Sequence, residues 1–158
     1  MRTITTLFLS AAVSGLLAAG GYASSAPSEA QTPEPSNFAW SDACKDCHKD
    51  IHEAWSKTKH ARALNRLSGS EQQKECVGCH VTGAKKLVEV DSKVVNAGVQ
   101  CESCHGAAAA HVADPTIKTG LSKEPGEQVC LECHNDRSPH FRGFLYVGMS
   151  RLSHRVQK

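Results

Sequence analysis

Apolar residues are sparse in this chain, and the longest helical pattern lies between His48 and Leu67. Ile51, Trp55 and Leu64 make a partial apolar stripe along this stretch, and no Gly or Pro interrupts it. This spacing is typical of an amphipathic helix that packs one face against a core. We therefore expect a helix over the whole stretch.

The pattern changes after residue 82. Leu87 and several valines surround Asp91 and Ser92 within residues 82–100, with glycines near both ends, which predicts a short β-hairpin or an extended flap. Beyond it, we expect a short helix after Gly106 and a terminal helical segment over residues 141–156. The fold class is therefore mainly α, with long loops. The apolar residues of the terminal segment that we expect to face inward are Phe144, Leu145, Val147 and Leu152.

The first 23 residues have the pattern of a secretory signal peptide. Arg2 precedes an apolar run over residues 7–19, which is short for a membrane span, and small residues follow it. Gly21 and Ala23 give the small-x-small pattern that predicts cleavage after Ala23. An uncleaved anchor is the alternative. We expect an exported protein without a membrane span after cleavage, located in the periplasm, with an extracellular location as the second choice.

The rest of the chain divides into a linker and one domain. Residues 24–37 are rich in Pro, Ser and Glu and lack apolar periodicity, which is typical of a flexible linker. Residues 38–158 then have the length of a single compact domain.

One five-residue pattern, Cys-x-x-Cys-His, occurs four times and uses all the cysteines of the chain. It is the attachment signature of c-type haem, in which two thiols form thioethers and the histidine coordinates iron. Four disulfides or two Cys₄ zinc ribbons would use the same cysteines, but neither requires the histidine. The expected haem attachment residues are Cys44, Cys47, Cys76, Cys79, Cys101, Cys104, Cys130 and Cys133, and the expected proximal iron ligands are His48, His80, His105 and His134.

Four covalently attached haem c groups would change the folding problem. Only 5% of the residues are aromatic, and a chain of this size would struggle to bury an adequate core by itself. We therefore expect a small multihaem cytochrome c in which the haems are the core. The formal charge of +2 omits the haem propionates, which add about eight negative charges when all are ionised. Nothing in this balance indicates nucleic-acid binding.

Five histidines remain outside the motifs, and four haems with two imidazoles each would need four of them. Methionine is the usual alternative ligand, but Met149 fits a packed side chain better. His52 lies one helical turn from His48, so we expect it to neighbour the proximal side instead of binding iron. The remaining candidates for the second axial position are His60, His111, His140 and His154.

Four segments resemble the cytochrome c554 family of tetrahaem cytochromes. The resemblance includes residues outside the motifs, such as Trp55, Lys59-His60-Ala61 and Ser138-Pro139, and it covers about residues 40–156. It implies a mainly helical fold with haems in stacked, nearly parallel pairs. It also implies distal ligand roles for three histidines, namely His60 on the third haem, His111 on the first and His154 on the fourth.

The second haem, on His80, is the position where the resemblance leaves a choice. Some relatives leave this iron five-coordinate, and His140 would either cap it or lie over an open site. We expect an electron carrier that serves redox partner proteins. The alternatives are a redox enzyme for small nitrogen compounds at an open second haem and a subunit of an extracellular cytochrome filament, and a homo-oligomer stays open.

Overall fold

The computed structural model describes residues 35–73, 75–83 and 86–154. The predicted signal peptide and most of the predicted linker lie outside these described residues. The described chain consists of short helices joined by turns and loops, together with one two-stranded sheet. The helices are α1 (Trp40–Cys44), α2 (Lys49–Ser56), α3 (Val77–His80), α4 (Cys101–His105), α5 (Ala109–Ala113), α6 (Glu127–Leu131) and α7 (Tyr146–Met149). Single 3₁₀ turns occur at Pro35–Asn37, Leu64–Arg66, Glu71–Gln73 and Ser150–Leu152.

The helix predicted up to Leu67 ends at Ser56, so only its first part is confirmed. The Thr58 N–H donates to the Trp55 carbonyl at 2.8 Å, which tightens the last turn and leads the chain out of the helix. The His60 carbonyl then accepts the N–H of Val99 at 2.9 Å. This contact with a distant segment competes with continuation of the helix, and the apolar spacing alone did not reveal it.

The predicted hairpin is confirmed. Strands β1 (Glu89–Val90) and β2 (Lys93–Val94) pair antiparallel, with Glu89 opposite Val94. Asp91 and Ser92 have φ values of 49° and 62°, so both central residues of the turn are left-handed. Two left-handed residues are the requirement of a type I′ turn, whose twist matches that of the paired strands.

The apolar core of the described residues is small and lies between the hairpin and α3. Leu64, Val77 and Val81 form its buried centre. The fully buried residues Thr82 and Asn96 lie beside it and form a polar brace. The Asn96 amide donates to the carbonyls of Thr82 and Lys86 at 3.1 and 2.8 Å, and its oxygen accepts the Val88 N–H at 2.9 Å. This side chain therefore fixes the hairpin on the second Cys-x-x-Cys-His motif.

The C-terminal segment is less helical than predicted. Phe144 is half-buried, whereas Leu145, Val147 and Leu152 are not covered by other protein residues, and the inward orientation expected for them stays a prediction. The helical part of this segment consists of one α-helical turn and an adjoining 3₁₀ turn. A polar contact helps to hold it, because the Tyr146 hydroxyl donates to the Pro125 carbonyl at 2.6 Å.

Candidate functional site

Each Cys-x-x-Cys-His motif forms one turn of helix. The first cysteine carbonyl accepts the N–H of the histidine four residues later, at 2.9 Å for both Cys44–His48 and Cys130–His134. Residues at positions i, i+3 and i+4 of a helical turn lie on the same face. The fold therefore presents two thiols and one imidazole together, as attachment of a single macrocycle requires.

The four motifs meet in two pairs. Helix α1, which ends at Cys44, packs on α4, and the thiols of Cys44 and Cys101 lie close enough to shift each other's pKa. The thiol of Cys79 likewise lies close enough to Cys133 to raise its pKa. The first motif therefore lies beside the third, and the second lies beside the fourth.

The close approach of these thiols shifts their acidity. The hydrogen bond between Cys44 and Cys101, together with burial, raises the pKa of Cys44, while the same bond lowers the pKa of Cys101. Burial raises the pKa of Cys104 to about 11. Burial, and then the contact with Cys79, raises the pKa of Cys133 to about 12.

Three histidines are oriented by backbone carbonyls. The Nδ1 atoms of His80, His105 and His111 lie 2.7, 2.6 and 2.9 Å from the carbonyl oxygens of Ala63, Ser122 and Ile117. Metal-binding histidines commonly donate one ring N–H to such an acceptor, which fixes the tautomer and leaves the other nitrogen for the metal. His111 lies outside the motifs, yet it has this arrangement in common with two motif histidines.

Two other histidines face motif histidines directly. The ring centres of His60 and His134 are 6.0 Å apart, and those of His105 and His154 are 5.9 Å apart. Two imidazoles on opposite sides of one iron would have ring centres about 6 Å apart, from metal–nitrogen bonds of about 2.0 Å. Burial, and then the nearby His134, lowers the pKa of His60, so its imidazole is neutral at pH 7, the form that binds metals.

The resemblance implied His60 on the third haem and His154 on the fourth, and which iron each of them binds stays a prediction. In the structure the His60 ring lies nearest the fourth motif histidine, and the His154 ring lies nearest the third. The chain turns out of α2 before His60 and is held there by the backbone bond from Val99. The direction in which His60 points therefore depends on a long-range contact that local spacing does not reveal.

The other candidate ligands lie in different surroundings. His140 is exposed, and among the described residues no ring contact involves it. Met149 is also exposed. The His52 ring lies 5.3 Å from Trp55, and its Nε2 is buried without a hydrogen-bond partner among the described residues. This atom lies one turn from His48, as expected for a neighbour of the first motif.

The residues present fit a covalently bound porphyrin at each motif. None of the eight motif cysteines forms a disulfide within the described residues. A cavity of about 260 Å³ borders the first motif and is lined by residues 47–51. No group of three or more His, Cys, Asp or Glu side chains surrounds a common point in the described part of the chain, so the cysteines are not gathered as in a Cys₄ zinc site. Bound haem iron supplies one-electron redox chemistry, and the protein tunes it through ligands, burial and hydrogen bonds.

One prominent residue of the site was missed at the sequence level. Glu102, inside the third motif, is only 5% exposed, and its carboxylate accepts three backbone N–H groups. A glutamate between the two cysteines of a motif looks like an ordinary surface residue. No local signal distinguishes it, because its partners include residues more than sixty positions away.

Comparisons with known proteins agree with this geometry. The family model described as cytochrome c554 and c-prime matches residues 43–106, and a model described as a doubled CXXCH motif matches residues 93–139. Cytochrome c-554 of Nitrosomonas europaea is 36% identical over 83 residues, which cover 40% of this chain and 35% of that protein. The alignment thus spans about a third of this curated relative.

Solved structures add a fold comparison. The reduced state of cytochrome c554 from Nitrosomonas europaea matches with a TM-score of 0.53 and 25% sequence identity, over 73% of this chain and 77% of that one. The outer cell wall cytochrome OcwA matches with a TM-score of 0.43 and 18% identity, over 70% of this chain and 44% of that one. No helix among the described residues is long and apolar enough to cross a membrane.

The motif geometry, the family match and the structural match support one another. Haem attachment also accounts for every cysteine of the chain and for the histidine that follows each pair. Disulfides or zinc ribbons would leave these histidines unexplained. This chain is therefore similar to the cytochrome c554 family over part of its length, and its four motifs indicate covalently bound haem c.

Proposed function

We propose that this protein is an exported electron carrier in which at least the third and fourth haems have two histidine ligands. The observation that supports this most strongly is the facing of His105 by His154 and of His134 by His60. Two imidazoles give a lower reduction potential than a histidine and a methionine, so these haems suit transfer between low-potential partners. Export rests on the predicted signal peptide.

The ligand set of the first haem is proposed on different grounds. His111 is held through Nδ1 by the Ile117 carbonyl, in the same manner as the motif histidines His80 and His105. We assign it to the iron on His48, in agreement with the family resemblance. Each second ligand then comes from a segment distant in sequence, so ligation ties the haem segments into one unit.

Electrons would pass within and between two pairs of haems. The contact of Cys44 with Cys101 supports a side-by-side arrangement of the first and third attachment sites, and that of Cys79 with Cys133 supports the same for the second and fourth. We expect haems attached to adjoining sulfurs to lie close enough for rapid electron transfer. The carrier needs no substrate-binding residue, because the chemistry is electron transfer at iron.

Single histidine variants test this ligand set. We expect His60→Ala and His154→Ala each to convert one low-spin haem to high spin in EPR spectra of the oxidised protein. The matched control is His140→Ala, which removes an exposed imidazole and should leave the first, third and fourth haems low-spin. If the spectra of both His60→Ala and His154→Ala matched the wild type, the bis-histidine assignment would be wrong.

A second candidate function concerns the second haem, for which the resemblance leaves the sixth ligand open. The Nδ1 of His80 is held by the Ala63 carbonyl, in the same manner as that of His105. An iron with an open position there could reduce a small nitrogen compound with electrons from the other haems. One high-spin signal in the wild type, together with carbon monoxide binding after reduction, would support the enzyme. Four low-spin haems without carbon monoxide binding would exclude the enzyme. A shift of the second haem to high spin in His140→Ala would identify His140 as its sixth ligand.

A further inference from the structure

Glu102 is the most buried charged side chain among the described residues, with 5% of its surface exposed. Its Oε1 accepts the N–H groups of Ala39 and Ala108 at 2.9 and 2.7 Å, and its Oε2 accepts that of Trp40 at 2.8 Å. An ionised carboxylate is rarely buried unless such donors compensate its lost hydration. Three backbone donors on one carboxylate amount to a preformed cradle, which surface glutamates lack.

The three donors belong to segments that serve the first haem. Ala39 and Trp40 lead into α1, which ends at the attachment residue Cys44. Ala108 directly precedes α5, which carries the proposed distal ligand His111. Glu102 itself lies in the third motif. One side chain therefore links the attachment and distal sides of the first haem to the attachment helix of the third.

The backbone of Trp40, one of the three donors, is strained. Trp40 has a φ of 63°, a conformation that bulky residues rarely adopt. It is held by the Glu102 carboxylate and by stacking of its ring on Phe38, with ring centres 5.3 Å apart and planes at 14°. The Trp40 carbonyl in turn lies 3.6 Å from the Cys44 sulfur. Strain of this kind persists only where surrounding contacts determine the geometry, which points to a requirement for an accurate position of Cys44.

We propose that Glu102 is a positioning residue that locks the first and third haem segments together, and that its buried negative charge lowers the reduction potentials of these two haems. The inference rests on the assignment of haems to the motifs. A buried anion beside an iron porphyrin stabilises the ferric state, which carries one more positive charge than the ferrous state. The effect is strong because little water screens the charge at this site.

The test compares three variants of the mature four-haem protein. Glu102→Gln removes the charge and replaces one acceptor oxygen by an NH₂ group, which then faces a backbone donor. Glu102→Asp keeps the charge but shortens the side chain, so it cannot reach all three donors. Asp46→Asn is the matched control, because it removes a carboxylate from the first motif at an exposed position. For each protein we would measure the mass, the four midpoint potentials and the EPR spectrum of the oxidised state.

We expect Glu102→Gln to raise two of the four potentials, and Asp46→Asn to shift them by less than a third as much. Glu102→Asp should keep potentials near the wild-type values while changing the low-spin EPR signals of the two haems. If the Glu102→Gln protein unfolded more easily but kept all four wild-type potentials, Glu102 would have only a structural role. This result would overturn the proposal. An equal rise in Glu102→Asp would also overturn it, because the charge would not be the cause.

If Glu102→Gln fails to accumulate with four haems, Glu102→Asp decides the question alone. An EPR spectrum of Glu102→Asp identical to that of the wild type would then show that the three hydrogen bonds to the carboxylate do not position the haem segments, and it would overturn the proposal. Failure of the proposed function is distinguishable from these outcomes, since it would appear in the His60→Ala and His154→Ala spectra with Glu102 intact.

Discussion

Replacement of Gly98 by alanine should damage the protein far more than the same replacement at Gly120. Both glycines are left-handed, with φ values of 81° and 80°, so the backbone penalty is matched. A Cβ at Gly98 would lie 2.6 Å from the Ala61 carbonyl oxygen and 3.0 Å from that of His60. A Cβ at Gly120 would meet nothing within 4 Å. Comparison of the Gly98→Ala and Gly120→Ala variants therefore separates the destabilisation caused by the close contact from that caused by the left-handed φ.

The magnitude follows from these two costs. A left-handed alanine costs about 1–2 kcal/mol, and the stiffer unfolded chain returns about 0.4–1 kcal/mol, so Gly120→Ala should lose about 1 kcal/mol. At Gly98 the methyl group overlaps backbone, which cannot rotate away as a side chain would. The His60 carbonyl is also held by the Val99 N–H at 2.9 Å. Overpacking of this kind adds about 1–3 kcal/mol, which gives a total of about 2–4 kcal/mol for Gly98→Ala.

Equilibrium unfolding of the holoprotein in guanidinium, followed by haem absorbance, measures the difference between the two variants. The Gly98 variant should also show a perturbed EPR signal from the fourth haem, because the displaced segment carries His60. Equal losses of stability for the two variants would refute the reasoning, since the close contact would then have no energetic consequence.

Three further substitutions have defined expectations. Asn96→Ala should lower the free energy of unfolding by about 2–4 kcal/mol in the same titration, because it leaves several buried groups unpaired. A loss below about 1 kcal/mol would contradict the claim that the Asn96 side chain holds the hairpin on the second motif. Phe144→Ala removes the ring stacked on His134 at 4.8 Å, so it should change the EPR g-values of one haem without changing the protein mass. Trp55→Phe deletes the 2.9 Å bond from Nε1 to the Val99 carbonyl and should lower the free energy of unfolding by about 1 kcal/mol.

The features that the sequence revealed are those encoded within a few residues. The Cys-x-x-Cys-His spacing fixes which groups share one helical turn, so the attachment sites were predictable. The hairpin was predictable too, since apolar residues on both sides of Asp91-Ser92 define two strands and a turn. Both predictions depend only on local geometry.

The features that were missed depend on contacts between distant segments. The first long helix ends at Ser56, and the backbone beyond it bonds to a distant segment through the His60 carbonyl and the Val99 N–H. Glu102 acquires its role only when residues 39–40 fold over the third motif. The C-terminal segment forms only one α-helical turn and an adjoining 3₁₀ turn where a longer helical segment was predicted. No spacing rule contains this information, because each case depends on which segments meet.

A crystal structure of the mature protein with its haems tests the central claim most directly, since anomalous scattering locates each iron. The account predicts that the iron attached through Cys130 and Cys133 lies between the Nε2 atoms of His134 and His60. It likewise predicts that the iron on His105 is bound by His154. Binding of His60 to the iron on His105, or to no iron, would contradict it.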